Sequence, residues 1–143
     1  MISSTGKVEV VSGVLDFQVR YSETDQMGRA HHRHYLVWFE LGRTALMKEC
    51  GVSYAELEQS GTWLPVSRVE VEYSAPVEYD ASLRLYTRVE RVRSREVVFG
   101  CRLVDEGKTT IATGCTCLVC TDDKGRTRRL PIDLRETLDK VAV

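Results

Sequence analysis

Strict alternation of apolar and polar residues recurs along the second half of the chain, and a helical repeat stands in the first half. In SRVEVEY, Val69, Val71 and Tyr73 alternate with Glu70 and Glu72. SLRLYTRVE sets Leu83, Leu85, Thr87 and Val89 against Arg84, Tyr86, Arg88 and Glu90, and VVFGCRLV continues with Val97, Phe99, Cys101 and Leu103. A period of two puts each apolar set on one face of a strand. Turn residues at Ser94-Arg95, Asp105-Glu106-Gly107 and Asp122-Asp123-Lys124-Gly125 separate the runs as hairpins do. TTIATGCTCLVC reads as a further strand. VEVVSGVLDFQVRY (Val8 to Tyr21) reads as the first, bulged near Gly13.

The helical repeat lies in YLVWFELGRTALMKECG. Tyr35, Phe39, Gly42 and Leu46 recur at spacings of three and four, giving one apolar stripe with a small residue in it. Leu36, Val37 and Trp38 add apolar surface on other sides, so the helix is expected to be covered on most of its circumference; Gly51 is its stop. Ser53 caps a short helix through YAELEQ, with Glu56 in capping-box position and Gly61 at its end. DLRETLDKV forms a last helix from an Asp133 cap. One long helix with about five to six antiparallel strands is an α+β arrangement, in which a twisted sheet wraps the helix. Open sheet edges need cover, so a homo-oligomer that continues the sheet across subunits is expected.

Composition narrows the partners. At 143 residues and 43% hydrophobic, residues 1–143 fit a single domain, without linker or repeat. The 20 basic and 21 acidic residues nearly cancel, so no global field favours nucleic acid or an anionic membrane surface. No apolar stretch matches a bilayer's thickness, so no membrane span is expected. MISSTGKVEV lacks a basic region followed by an apolar one, so the reading is cytoplasmic, without a signal peptide. The odd cysteine count, five, argues for reduced thiols. Cys115 and Cys117 share a strand face and Cys120 takes the other, which makes a poor zinc site.

The densest polar chemistry is in YSETDQMGRAHHRHY, just before the long helix. Asp25 stands near a helix start expected at His32, where unpaired backbone N–H groups and a partial positive end stabilise an oxyanion. Gly28 allows a backbone path that turns several N–H groups toward one point. The bland reading, a loop aspartate capping a turn, stands level with the functional one. His31, His32 and His34 suggest a metal with Asp25, but no second carboxylate or cysteine falls at ligand spacing, so no metal is expected. Ser22 has no G-x-S-x-G elbow, and Cys50 lies too far along the helix to meet the histidines. The arginines of the second half are expected mostly on solvated faces, with a minority free to bind phosphates. No P-loop or G-x-G-x-x-G signals a nucleotide fold, and no cofactor is expected.

YSETDQMG with His32 and Tyr35, followed by LVWFELGRTALM, is similar to the opening of the 4-hydroxybenzoyl-CoA thioesterase-like family, small hot-dog-fold acyl-CoA thioesterases. The resemblance continues through LPV, YSAPVEYD and TGCTCLVCTDDKGRTRRLP. It implies a hot-dog fold, an acyl-CoA substrate, and a homodimer or homotetramer with the site at a subunit interface. It also implies roles: Asp25 as nucleophile or general base, the His32 N–H as the group that polarises the thioester carbonyl, and Tyr21, grouped with these two as catalytic, as a pocket tyrosine near the aspartate. Gly28 and Tyr35 join the substrate-binding set. Arg88, Arg126, Arg128 and Arg129 are the nominees for coenzyme A phosphates. Arg29, Ala30, His31 and His34 depart from the family's usual residues, which bears on acyl preference. A hot-dog dehydratase is the alternative enzyme, although neither an H-F-P-type nor a D-x-N-P-x-H-type segment is present. A non-catalytic acyl-CoA-binding module is the third reading.

Overall fold

The alternating runs become strands, and their buried sets meet one helix. A computed structural model describes residues 13–143, with β1 (Val14–Gln18), α1 (His34–Glu49), α2 (Tyr54–Gln59), β2 (Val66–Tyr73), β3 (Ser82–Val92), β4 (Glu96–Asp105), β5 (Thr110–Val119) and α3 (Ile132–Val141). The strands form one sheet in the order β1-β3-β4-β5-β2, every neighbouring pair antiparallel. This is the α+β hot-dog arrangement that the family resemblance implies.

The inward set is as the alternation predicts on β3 and β4. Leu83, Leu85, Thr87 and Val89 are buried, as are Val97, Phe99, Cys101 and Leu103. Each large apolar side chain so buried contributes about 2 kcal/mol. Two apolar clusters result. Tyr35, Trp38 and Phe39 of α1 enter one with Leu83, Leu85 and Leu103; Leu46 and Met47 enter the other with Val89, Phe99, Leu118 and the α3 residues Leu134 and Leu138. Gly42 lies between them in the helix sequence, where an added Cβ would stand 2.5 Å from Thr87 Oγ1 and 2.7 Å from Leu85 Cδ2. The glycine of the predicted stripe is what lets α1 approach β3.

Several elements differ from the sequence expectation. The first strand ends at Gln18, and Tyr21 falls in a 3-10 turn (Tyr21–Glu23); positions 8–12 of that expected strand lie outside the described residues, as does MISSTGKVEV. Gly13, the expected bulge, has φ +55° and its carbonyl accepts the Thr87 N–H at 2.7 Å. The α1 helix begins at His34 rather than at His32. Its circumference is covered on one side only: Leu36, Val37 and Leu41 are 44%, 45% and 50% exposed. The reason is the sheet order, which puts α1 over β1 and β3. β2 stands at the sheet edge, so Val69 and Tyr73 of its supposed inward face stay exposed. Pro131, not Asp133, stands at the N-terminal boundary of α3, and Asp133 sits within the first turn. There it still faces the positive helix end.

Ser53 Oγ accepts the Glu56 N–H at 3.4 Å, as the capping pattern of α2 predicts. Among the described residues, no helix is long and apolar enough to cross a membrane.

Candidate active site

Between β1 and α1 the chain is folded by hydrogen bonds that can be traced residue by residue. Glu23 closes the 3-10 turn: its Oε1 accepts the Arg20 N–H at 2.8 Å, and its Oε2 accepts the indole N–H of Trp38 at 2.7 Å. The carboxylate is buried. Burial raises its pKa, but the donors from Arg20 and Trp38 outweigh that and hold it below the ordinary glutamate value. Thr24 then pairs with Ala30 across a tight loop.

Asp25 organises that loop. Its Oδ1 accepts the N–H of Met27 at 2.8 Å and that of Arg29 at 3.4 Å, and its own N–H donates to the Arg29 carbonyl at 2.8 Å. Gly28 donates to the Asp25 carbonyl at 3.0 Å and adopts φ +75°, a left-handed conformation that glycine takes without strain. Asp25 is thus the turn-closing aspartate of the bland reading. Its Oδ2, however, has no hydrogen-bond partner among the described residues. One oxygen holds the loop and the other makes no hydrogen bond within it.

The segment after the loop is pinned on both sides. Ala30 N–H donates to the Val77 carbonyl at 2.8 Å and His31 N–H to the Glu23 carbonyl at 2.9 Å. His32 follows, two residues before α1, and its N–H has no partner among the described residues. Its carbonyl accepts the Tyr73 hydroxyl at 3.1 Å and the Tyr35 N–H at 3.4 Å. Asp25, His32, Tyr35 and Tyr73 line one open hollow of about 350 Å³, together with Met27, Arg29, Ala30 and Ser74 to Pro76. Tyr35 and Tyr73 meet edge to face, with centroids 4.9 Å apart. Burial pushes both phenols up, so both stay protonated at neutral pH.

The other histidines serve the turn. His31 Nδ1 accepts the Arg33 N–H and His34 Nε2 the Arg33 Nε–H, each at 3.2 Å. Partial burial, then the neighbouring charges of His32 and Arg33, push His31 below the ordinary histidine value, in keeping with its role as acceptor. Among the described residues, no three histidine, cysteine, aspartate or glutamate side chains converge as a metal site would require. Cys115 and Cys117 are half-buried and Cys120 is buried, and all three thiols are free.

The structure brings together Asp25, His32 and Tyr35 of the residues that the sequence singles out; Gly28 shapes their loop. Tyr21 stays outside the hollow, 77% exposed and edge-on to Tyr79 at 5.7 Å. Arg88 is paired with Glu90, Arg126 with Asp122, and Arg128 donates to the Gly61 carbonyl; Arg129 is exposed, and none of the four lines the hollow. The cation that does line it is Arg29. Sequence reasoning missed Tyr73 as a site residue, and Arg29 entered it only as a departure that bears on acyl preference. The signal for Tyr73 was the YSAPVEYD segment, which carries both the strand end and the Ser74 to Pro76 wall. A larger hollow, about 600 Å³, lies beside Asp16, Arg84, Tyr86 and Lys108. Asp16 and Arg84 neutralise each other there, so both oxygens of that carboxylate are already engaged by a cation. The smaller hollow is the one lined by Asp25, His32 and Tyr35, the residues that the sequence singles out.

Comparison with known proteins follows the same lines. Residues 19–138 match the Thioesterase-like superfamily. YneP of Bacillus subtilis (strain 168) is 34% identical over 107 residues, which is 75% of this chain and 78% of that one. The acyl-CoA thioester hydrolase YbgC of Escherichia coli O157:H7 is 30% identical over 115 residues, 80% of this chain and 86% of that one. The crystal structure of DHNA-CoA thioesterase from Staphylococcus aureus superposes with a TM-score of 0.86 at 31% identity, covering 90% of this chain and 89% of that one.

Proposed function

We propose that this chain, which belongs to the Thioesterase-like superfamily, is an acyl-CoA thioesterase that uses Asp25 as general base and the His32 N–H as oxyanion donor. The observation that carries the reading is the pairing, in one hollow, of a carboxylate with a free Oδ2 and a backbone N–H without a partner. The named relatives that act on acyl-CoA support the substrate class.

The reaction then runs in two steps. Asp25 Oδ2 takes a proton from water as the water oxygen bonds to the thioester carbonyl carbon, and the oxyanion forms toward the His32 N–H. The carbonyl re-forms as the C–S bond breaks, and the departing thiolate receives the proton from the Asp25 carboxyl. The products are a free acid and coenzyme A. Direct attack by Asp25 is the other route to the same products, through a mixed anhydride that water then opens. A single turnover in heavy-oxygen water tests the second route: label in Asp25 requires direct attack and opening of the anhydride at the Asp25 carboxyl carbon, whereas water activation puts label only in the released acid.

Assembly fits the same reading. A second copy pairing along β2 covers the exposed side chains of Val66, Val69 and Tyr73, at the edge where the hollow lies. Arg88, Arg126, Arg128 and Arg129 then serve coenzyme A from across a subunit boundary, while Arg29 meets it from the same chain. A cytoplasmic setting accords with five free thiols.

Asp25→Asn tests the assignment. The substitution keeps the loop acceptor but not the base, and turnover of acyl-CoA should fall by about a thousandfold with fold retained. Near-full activity of Asp25→Asn on short, long, branched and aromatic acyl-CoAs overturns the reading.

A further inference from the structure

An oxyanion donor works only if its peptide is held in place before the charge develops. The peptide planes on either side of the His32 Cα are each held through a carbonyl, and the second also through the Arg33 N–H, which donates to His31 Nδ1 at 3.2 Å. His31 O accepts the His34 N–H at 3.1 Å, a local bond within the turn. His32 O accepts the Tyr35 N–H at a long 3.4 Å and the Tyr73 hydroxyl at 3.1 Å. The shorter bond comes from 41 residues away in sequence, from the last residue of the edge strand. The Tyr73 ring also packs edge-on against the rings of Tyr35 and His32, at 4.9 and 6.4 Å between centroids. His32 lacks both a helical ladder and a side-chain cap at this point, since α1 starts at His34 and no side chain caps it.

We propose that Tyr73 is a positioning residue for hydrolysis: its hydroxyl anchors the His32 carbonyl and so fixes the direction of the unpartnered His32 N–H. The inference rests on the thioesterase reading of this site. It places on the edge strand a tie to the peptide that follows the oxyanion peptide, in a residue that also lines the reacting hollow. Tyr73 acts through His32, so its loss should weaken the transition state more than the bound substrate.

Tyr73→Phe removes the hydroxyl and keeps the ring. Expected is a fall in kcat of about tenfold, the value of one hydrogen bond, with KM changed less than about twofold and an unchanged melting temperature. Turnover by the natural chain that is lost in Asp25→Asn secures the reading of the site separately from Tyr73. On that footing, natural kcat in Tyr73→Phe overturns the proposal. A loss confined to KM overturns it too, since that marks a substrate contact. If the natural chain hydrolyses no acyl-CoA, the thioesterase reading fails, and the Arg33 amide nitrogen, in the same peptide as the His32 carbonyl, decides the tie. Its NMR resonance should move in Tyr73→Phe, and an unmoved resonance overturns the anchoring.

Discussion

The indole N–H of Trp38 reaches Glu23 Oε2 at 2.7 Å, a bond that fastens the loop of Asp25 to the buried face of α1. Glu23 is 2% exposed and Trp38 1%, so neither group has water as a substitute partner. The same glutamate accepts the Arg20 N–H, and its backbone carbonyl accepts that of His31. The two ends of the Asp25 loop are thereby tied to one residue.

Glu23→Ala strands the Trp38 and Arg20 donors and should lower unfolding stability by about 3 kcal/mol, measured by urea denaturation. Glu23→Gln still satisfies one of the two and should lose roughly half as much. The pH dependence has a definite sign. The folded pKa of Glu23 is depressed, so its contribution is full above the ordinary value near 4.5 and is lost as pH falls through the folded value. Stability of Glu23→Gln should therefore decline less than that of the natural chain below that pH. Parallel curves would refute the anchor.

Gly28→Ala isolates a backbone effect. A Cβ at this position meets no atom within 4 Å, yet the residue holds φ +75°. The substitution should reduce stability by about 1 to 2 kcal/mol from the left-handed conformation alone. Turnover should fall further than stability accounts for, because the same turn presents the Met27 and Arg29 N–H groups to Asp25. Gly28→Asn, which tolerates positive φ, should recover part of both. Full activity in Gly28→Ala would show that the loop geometry is not needed.

Val69→Lys tests the edge. Val69 is 36% exposed on β2, and burial of a lysine against a second copy of the chain is unfavourable without a partner for its charge. Light scattering should find Val69→Lys shifted toward monomer while circular dichroism stays unchanged. An oligomer of natural size places the interface elsewhere.

The sequence by itself determined what depends on neighbours along the chain. Period-two runs set β3 and β4 with their inward residues, spacings of three and four set the buried stripe of α1 through Tyr35, Phe39 and Leu46, and the Ser53 cap set α2. Asp25 and Gly28 were legible for the same reason: their hydrogen bonds close within one turn. The helix start moved by two residues because His31 and His32 make a turn whose bonds the periodicity does not encode. The tertiary structure alone decided that β2 lies at an edge, which leaves Val69 and Tyr73 uncovered although their pattern matches that of buried strands. It also brought Tyr73 to His32 and Trp38 to Glu23, and it left the arginines of the second half away from Asp25. Periodicity is a property of local backbone geometry, whereas these meetings depend on strand order and register, which are settled by packing between distant segments.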